Sequence, residues 1–196
     1  AVSNGDIPLK FTADIHEATY TRVAGNGFEE NDEVGVFALV GSSTMKEERY
    51  ADNLRFFRTS EKVFESSEPI YYPDDEVTLR LISYYPYQEE GVNMGESTMS
   101  VAVETDQNLS AGYFCSDFLV ASQNLQSAPK GAIALHYDHK FFKLKIALVG
   151  KEGEELQGIL DADPKLSVCG FYTKAIYDFQ KETYSAFSNE KSITPA

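Results

Sequence analysis

The stretch Val77-Thr78-Leu79-Arg80-Leu81-Ile82-Ser83-Tyr84-Tyr85 decides the fold class, because apolar side chains occupy both of its alternating sets of positions. Neighbouring residues of a β-strand point to opposite faces of the sheet. One face of this strand would carry Val77, Leu79, Leu81 and Tyr85, and the other would carry Thr78, Arg80, Ile82 and Tyr84. The pattern predicts a strand that is covered on both faces, as in a layered β-protein.

Shorter alternating runs lie on both sides of this stretch. They are Ile7–Thr12, Glu33–Val40, Arg55–Thr59, Met99–Glu104 and Leu166–Thr173. Turn signals such as Gly25-Asn26-Gly27 and Pro73-Asp74-Asp75 separate the runs. Many short strands with turns between them are typical of an antiparallel β-sandwich with Greek-key connections. We therefore predict an all-β fold of that kind.

Three segments depart from this simple pattern. Ala132–Val149 is longer than an ordinary strand, and we expect it to bend or break at Asp138-His139-Lys140. Short helical turns are expected at Met45–Asn53 and within Asp106–Ala121, where the sequence does not alternate.

Composition limits the classes of partner. The chain has 196 residues, enough for one substantial domain, and its 17 basic and 31 acidic residues give a formal charge of −14. Such a surface repels phosphates, so nucleic acid and anionic lipid headgroups are poor partners. The sequence has no run of 18 apolar residues that would span a membrane. Cys115 and Cys169 are too sparse to define a disulfide framework, and whether they pair stays open.

We find no pattern that predicts an enzyme, a cofactor site or a metal site. The sequence contains no recognisable nucleophile motif and no glycine-rich phosphate loop. His136 and His139 are three residues apart, so on a regular strand they face opposite sides and cannot share an ion. Each is expected to pack or to face solvent, unless a bulge at Asp138 brings the two closer.

Two further features have both a functional and a structural interpretation. An aromatic platform that binds sugars could form from several tyrosines, although core packing explains the same residues. These tyrosines are Tyr71, Tyr72, Tyr84, Tyr85 and Tyr87. Arg22 precedes the loop Val23–Gly27, which has two glycines, so a trypsin-like protease could cut after Arg22 if the loop is exposed. The alternative is an ordinary surface arginine.

The ordered set of motifs resembles the fimbrillin family of pilin-like surface proteins. The set comprises Ile7–Phe11, Thr21-Arg22-Val23, Asn31–Phe37, Tyr71-Tyr72-Pro73, Ser83–Tyr87, Ser116–Ala121 and Tyr137–Leu144. The resemblance implies a transthyretin-like sandwich domain over residues 1–190. It also implies that residues 191–196 begin a linker or a second domain, unless this is a one-domain variant.

The resemblance also implies a function and a location. The expected protein is a subunit or accessory component of a cell-surface fimbrium that supports adhesion. It would be exported as a lipoprotein precursor and anchored in the outer membrane through a lipid. A surface glycan-binding module without polymerisation is the alternative.

The resemblance assigns a role to the first strand. An arginine-specific protease would cut between Arg22 and Val23 and release an exchangeable strand that carries Ile7, Leu9 and Phe11. A strand from another pilin subunit would then occupy the vacated groove. Receptors on a host or bacterial surface are the other expected partners.

Overall fold

The computed structural model describes residues 8–16, 27–73, 77–108, 110–150 and 156–195. Strands dominate this part of the chain, and the two helices are six residues long. The elements are β1 (Phe11–Ile15), β2 (Glu33–Val40), β3 (Ala51–Arg58), β4 (Phe64–Glu65), β5 (Leu79–Tyr85), β6 (Thr98–Ala102), α1 (Ser110–Cys115), β7 (Leu119–Leu125), β8 (Ile133–His139), α2 (Leu156–Asp161), β9 (Val168–Asp178) and β10 (Thr183–Ile193). The prediction of an all-β fold is confirmed.

Seven strands form one sheet that closes on itself, in the order β1-β4-β3-β2-β5-β7-β8. A second sheet has the order β10-β9-β6. Neighbouring strands pair antiparallel except at one place, where β1 runs parallel to β8. The expectation of a purely antiparallel sandwich is therefore wrong at that pair. A parallel neighbour requires a long connection, and here residues 16–132 lie between the two strands.

The two faces of β5 contact different hydrophobic cores, as its sequence predicts. Leu79 and Leu81 point into the closed sheet, where they pack among residues of β1, β2 and β8. Ile82 and Tyr84 point outward into the layer between the two sheets, among residues of β6 and β9. β2 lies beside β5 and is buried on both faces in the same way. The closed sheet and the second sheet are therefore joined by an apolar layer over β2, β5 and β7.

Aromatic rings fill the layer between the sheets. Phe37 of β2 stacks on Tyr84 with ring centroids 5.8 Å apart, and Phe179, just after β9, meets the edge of Phe37 at 5.9 Å. Phe118 meets Tyr177 of β9 edge-on at 5.1 Å. Offset and edge-to-face pairs of this kind each add a favourable term beyond the area that they bury.

Several expected boundaries differ from the observed ones. Residues 44–50 form turns rather than a helix, and β3 already begins at Ala51, whereas α1 lies inside the predicted helical region 106–121. β8 ends at His139, so the predicted break in Ala132–Val149 is confirmed. β1 begins at Phe11, and Pro8 forms only an isolated bridge with Tyr71. β10 ends at Ile193, and the predicted end of the domain at residue 190 stays a prediction.

Cys115 and Cys169 are both free and exposed.

Candidate functional site

β1 closes the seven-stranded sheet, because it lies between β4 and β8. On one side it pairs with β8 over five residues, from Phe11 opposite Ile133 to Ile15 opposite Tyr137. On the other side it pairs with β4 at a single position, Phe11 opposite Phe64. Removing β1 would therefore leave two unpaired strand edges, which are a template for pairing with another strand.

The side chains that β1 sends inward belong to the core of the closed sheet. Phe11 is 1% exposed and lies against two rings, Phe56 at 4.8 Å and Phe64 at 5.2 Å between centroids. Leu9, just before β1, is 3% exposed, and its backbone N–H donates to the carbonyl of Ile70. Both side chains are therefore buried, and their role in an exchangeable strand stays a prediction.

Ile7, Arg22 and Val23 lie outside the described residues. The role of Ile7 in the exchangeable strand and the cleavage of the Arg22–Val23 bond therefore stay predictions.

Backbone bonds extend the pairing of β1 with β8 at both ends. The N–H of Ile133 donates to the carbonyl of Lys10, and the N–H of His16 donates to the carbonyl of Tyr137. Together with the buried side chains, these bonds make β1 an integral part of the closed sheet rather than an appended segment.

A second surface of interest follows β8. Residues 142–149 are all exposed, and four of their apolar side chains lie at every second position, although Ala147 and Val149 are apolar as well. The alternating apolar members are Phe142, Leu144, Ile146 and Leu148, which are 75%, 54%, 40% and 47% exposed. An exposed apolar row of this length is typical of an interaction surface. The sequence pattern predicted a bend or break near Asp138 but did not indicate that the residues after it would form an exposed apolar row.

The five tyrosines of the predicted sugar platform do not share one face. Tyr72 and Tyr84 are buried, and Tyr84 donates its hydroxyl to Asn53 Oδ1 at 2.7 Å. Tyr85 points to the opposite side of β5 and packs against the core of the closed sheet. Tyr87 lies under the guanidinium of Arg55, 5.8 Å from its ring centroid. Core packing therefore accounts for Tyr72, Tyr84 and Tyr85.

The buried ionisable groups of the two cores are mainly phenols. Burial raises the pKa of Tyr84 to about 12, although its hydrogen bonds with Gln88 and Asn53 lower the pKa in part. Burial also raises the pKa of Tyr137, whose hydroxyl is 2.5 Å from Ser83 Oγ in the closed sheet. A phenol with a raised pKa stays neutral and protonated at physiological pH. These groups stabilise the core and are not poised for acid–base chemistry.

The three histidines lie where β1, β7 and β8 meet. His139 is 2.8 Å from Asp117 and points away from His136, as strand geometry predicts. His136 instead lies beside His16, which directly follows β1, with stacked rings 5.5 Å apart. Sequence reasoning compared only His136 with His139, and it missed His16 because nothing local in the sequence indicates the parallel pairing of β1 with β8.

Neither described helix is long and apolar enough to cross a membrane.

The model of the family described as "Fimbrillin-like" matches residues 21–196. Among solved structures, a candidate cell adhesion protein of Bacteroides uniformis is 20% identical, with a TM-score of 0.66 over 96% of this chain and 70% of that one. A candidate cell adhesion protein of Bacteroides ovatus is 15% identical, with a TM-score of 0.63 over 96% and 72%. At these identities, the two structures show a shared fold. Among curated proteins, none matches the chain.

Proposed function

Because this chain belongs to the fimbrillin-like family, we propose that it is a structural subunit or accessory component of a cell-surface fimbrium. In this proposal it supports adhesion and assembles by exchange of β1. The observation that carries the proposal is the position of β1, which closes the sheet and buries Leu9 and Phe11. The transthyretin-like description, the lipid anchor in an exported precursor, the outer-membrane location and the surface receptors belong to the same proposal.

The free energy of burying Leu9 and Phe11 indicates that β1, or a strand that replaces it, is held tightly in the sheet. Full burial of Leu9 and Phe11 contributes roughly 3–6 kcal/mol together, at about 1.5–3 kcal/mol for each side chain. This sum is comparable with the whole stability of a marginal domain, about 5 kcal/mol. Release of β1 would expose an apolar groove and two strand edges, and a strand from a neighbouring subunit would cover both.

The segment 142–149 offers an occupant for that groove within the same chain. Its large apolar residues from Phe142 to Leu148 lie at every second position, as Leu9, Phe11 and Ala13 do along the N-terminal segment, although Ala147 lies between two of them. A donor strand needs such a pattern, because alternate side chains fill the pockets while the backbone forms the ladder. In this arrangement, the exposed segment of one subunit pairs with the opened sheet of the next.

Cleavage followed by size measurement tests the proposal. The purified chain is treated with an arginine-specific protease, and the new N-terminus and the molecular mass are measured by sequencing and light scattering. We expect cleavage between Arg22 and Val23 and a shift to large assemblies. The control variant Arg22→Ala should stay monomeric under the same treatment.

Two additional experiments test separately whether the groove left by β1 is the assembly site and whether segment 142–149 is the donor strand. A synthetic peptide of residues 7–15, added in excess, should refill the groove and prevent assembly. A Leu144→Ser/Ile146→Ser variant should be cleaved normally but should not polymerise if segment 142–149 is the donor. A cleaved, stable monomer that neither binds the peptide nor assembles would refute exchange of β1.

A further inference from the structure

The outer surface of the β1–β8 pair carries four side chains that can bind a metal. Both strands expose alternate residues on this surface, and the parallel register places Asp14 opposite His136. Ile15 lies opposite Tyr137, so the next residues, His16 and Asp138, are also neighbours. The result is a square of two histidines and two aspartates. Each strand contributes one residue of each type, and each histidine faces an aspartate across the pair.

The histidines are held by carboxylates through the same ring nitrogen. His136 Nδ1 is 2.6 Å from Asp14 Oδ1, and His16 Nδ1 is 2.9 Å from Asp138 Oδ1. The two rings are almost parallel, with an interplanar angle of 7°. A carboxylate that accepts from Nδ1 fixes the imidazole tautomer and leaves Nε2 available as a ligand, and Asp138 would hold His16 in this way. Asp14 would instead exchange its contact with His136 for a bond to the ion.

The three ligand atoms are near enough to share one ion if their side chains rotate toward one another. Asp14, His16 and His136 each offer a ligand atom, and the three atoms lie within 4.8 Å of one another. In a tetrahedral site with bonds of 2.0–2.1 Å, two ligands of zinc are about 3.4 Å apart, so the most widely separated pair must approach by up to about 1.4 Å. The side chains can rotate to do so, because between 49% and 64% of their surfaces are exposed.

The surroundings favour a cation. The formal charge of −14 raises the concentration of cations near the surface. Lys140 Nζ lies 3.9 Å from Asp138 Oδ2 and partly neutralises that carboxylate. Asp138 is therefore better suited to orient His16 than to bind the ion itself. Two imidazoles with a carboxylate are a ligand set that zinc and similar first-row ions bind well.

We propose that Asp14, His16 and His136 form a binding site for a divalent first-row transition ion, represented here by Zn²⁺, with Asp138 as the residue that orients His16. The ion would join β1 to β8 at the seam of the closed sheet. A further consequence rests on the proposed function: bound metal would hold the exchangeable strand in place and slow its release after cleavage.

Calorimetric titration with ZnCl₂ tests the site. The background is the full chain with Cys115→Ser and Cys169→Ser, because exposed thiols also bind zinc. We expect saturable binding of one ion, which His136→Ala abolishes and Asp138→Asn weakens by about 10- to 100-fold, as losses of outer partners typically do. The remaining histidine provides the control, and His139→Gln should bind like the background chain.

The outcomes are distinguishable from one another and from failure of the proposed function. Circular dichroism of each variant establishes that it is folded. If the folded background chain binds no zinc, or if His136→Ala binds as well as the background, the four residues form ion pairs only and the site is refuted. Titration with Co²⁺ gives a second readout, because a near-tetrahedral site intensifies the visible absorption of Co²⁺, and His136→Ala should lose this increase.

The regulatory consequence has its own measurement. Zinc at saturation should slow assembly of the cleaved chain, and it should not slow assembly of the cleaved His136→Ala variant. Zinc binding without any effect on assembly would leave the site in place and contradict only the link to strand exchange.

Discussion

Replacement of Phe11 by alanine tests the contribution of β1 to the stability of the sheet. Phe11 is 1% exposed and contacts the rings of Phe56 and Phe64, so its removal leaves a cavity in the core of the closed sheet. Phe→Ala changes at such sites cost about 3–5 kcal/mol. This is a large part of the roughly 5–15 kcal/mol by which a domain of this class is stable. If the free energy of unfolding of the unchanged chain is near the lower limit of this range, Phe11→Ala should measurably reduce the folded fraction even without denaturant.

The assay is urea unfolding followed by far-UV circular dichroism, because the chain has no tryptophan. The matched control is Thr12→Ala on the same strand, since Thr12 is exposed and surface changes usually alter stability by no more than about 0.5 kcal/mol. The slope of the free energy against urea should stay the same in both variants. If Phe11→Ala unfolds at the same urea concentration as Thr12→Ala, β1 is not an integral part of the core, and the reasoning about strand exchange fails with it.

Three further predictions concern the rest of the fold. Gly35→Ala should destabilise the folded chain by about 1–3 kcal/mol, because the added Cβ would lie 2.2 Å from the buried ring of Tyr84. Gly131→Ala is the control, since the space around Gly131 is open, and thermal unfolding compares the two variants. Arg49→Lys should lower the urea midpoint by the equivalent of about 1–3 kcal/mol, because the buried guanidinium donates to three carbonyls of the 92–96 loop and also to Met45 O and Asp52, whereas an ammonium has three donors; a midpoint equal to that of the original chain would contradict this. Stability should fall as the pH rises above 10, because Tyr84 has a pKa of 10.0 when exposed and about 12 when buried, so the unfolded chain loses its proton first. This loss is about 1.4 kcal/mol per pH unit between those values, and Tyr84→Phe should reduce the slope of urea stability against pH.

The parts of the fold that the sequence predicts are those set by local alternation. Both faces of Val77–Tyr85 are apolar, and β5 indeed contacts one core with Leu81 and the other with Ile82. The break near Asp138 follows from a polar interruption of an apolar run, because a strand that long would leave polar side chains inside the core.

The parts that the sequence does not predict depend on long-range pairing. β10 has few apolar residues in an alternating order and is largely exposed, so it gives no local signal; it forms because β9 supplies its hydrogen-bond partners. The square of His16 and His136 with their aspartates exists only because β1 lies parallel to β8. Neither strand alone contains a metal pattern, since each contributes one histidine and one aspartate.

The parallel pairing of the first strand also has a consequence for the order of folding. His136 and Asp14, which are neighbours across this pair, are 122 residues apart in the chain. Contacts between such distant residues form slowly, because the loop between them must be closed before any contact compensates for the lost entropy. During synthesis, the N-terminal segment leaves the ribosome first, yet its docking position exists only after residue 139 has emerged. We therefore expect β1 to be the last strand of the closed sheet to settle during folding.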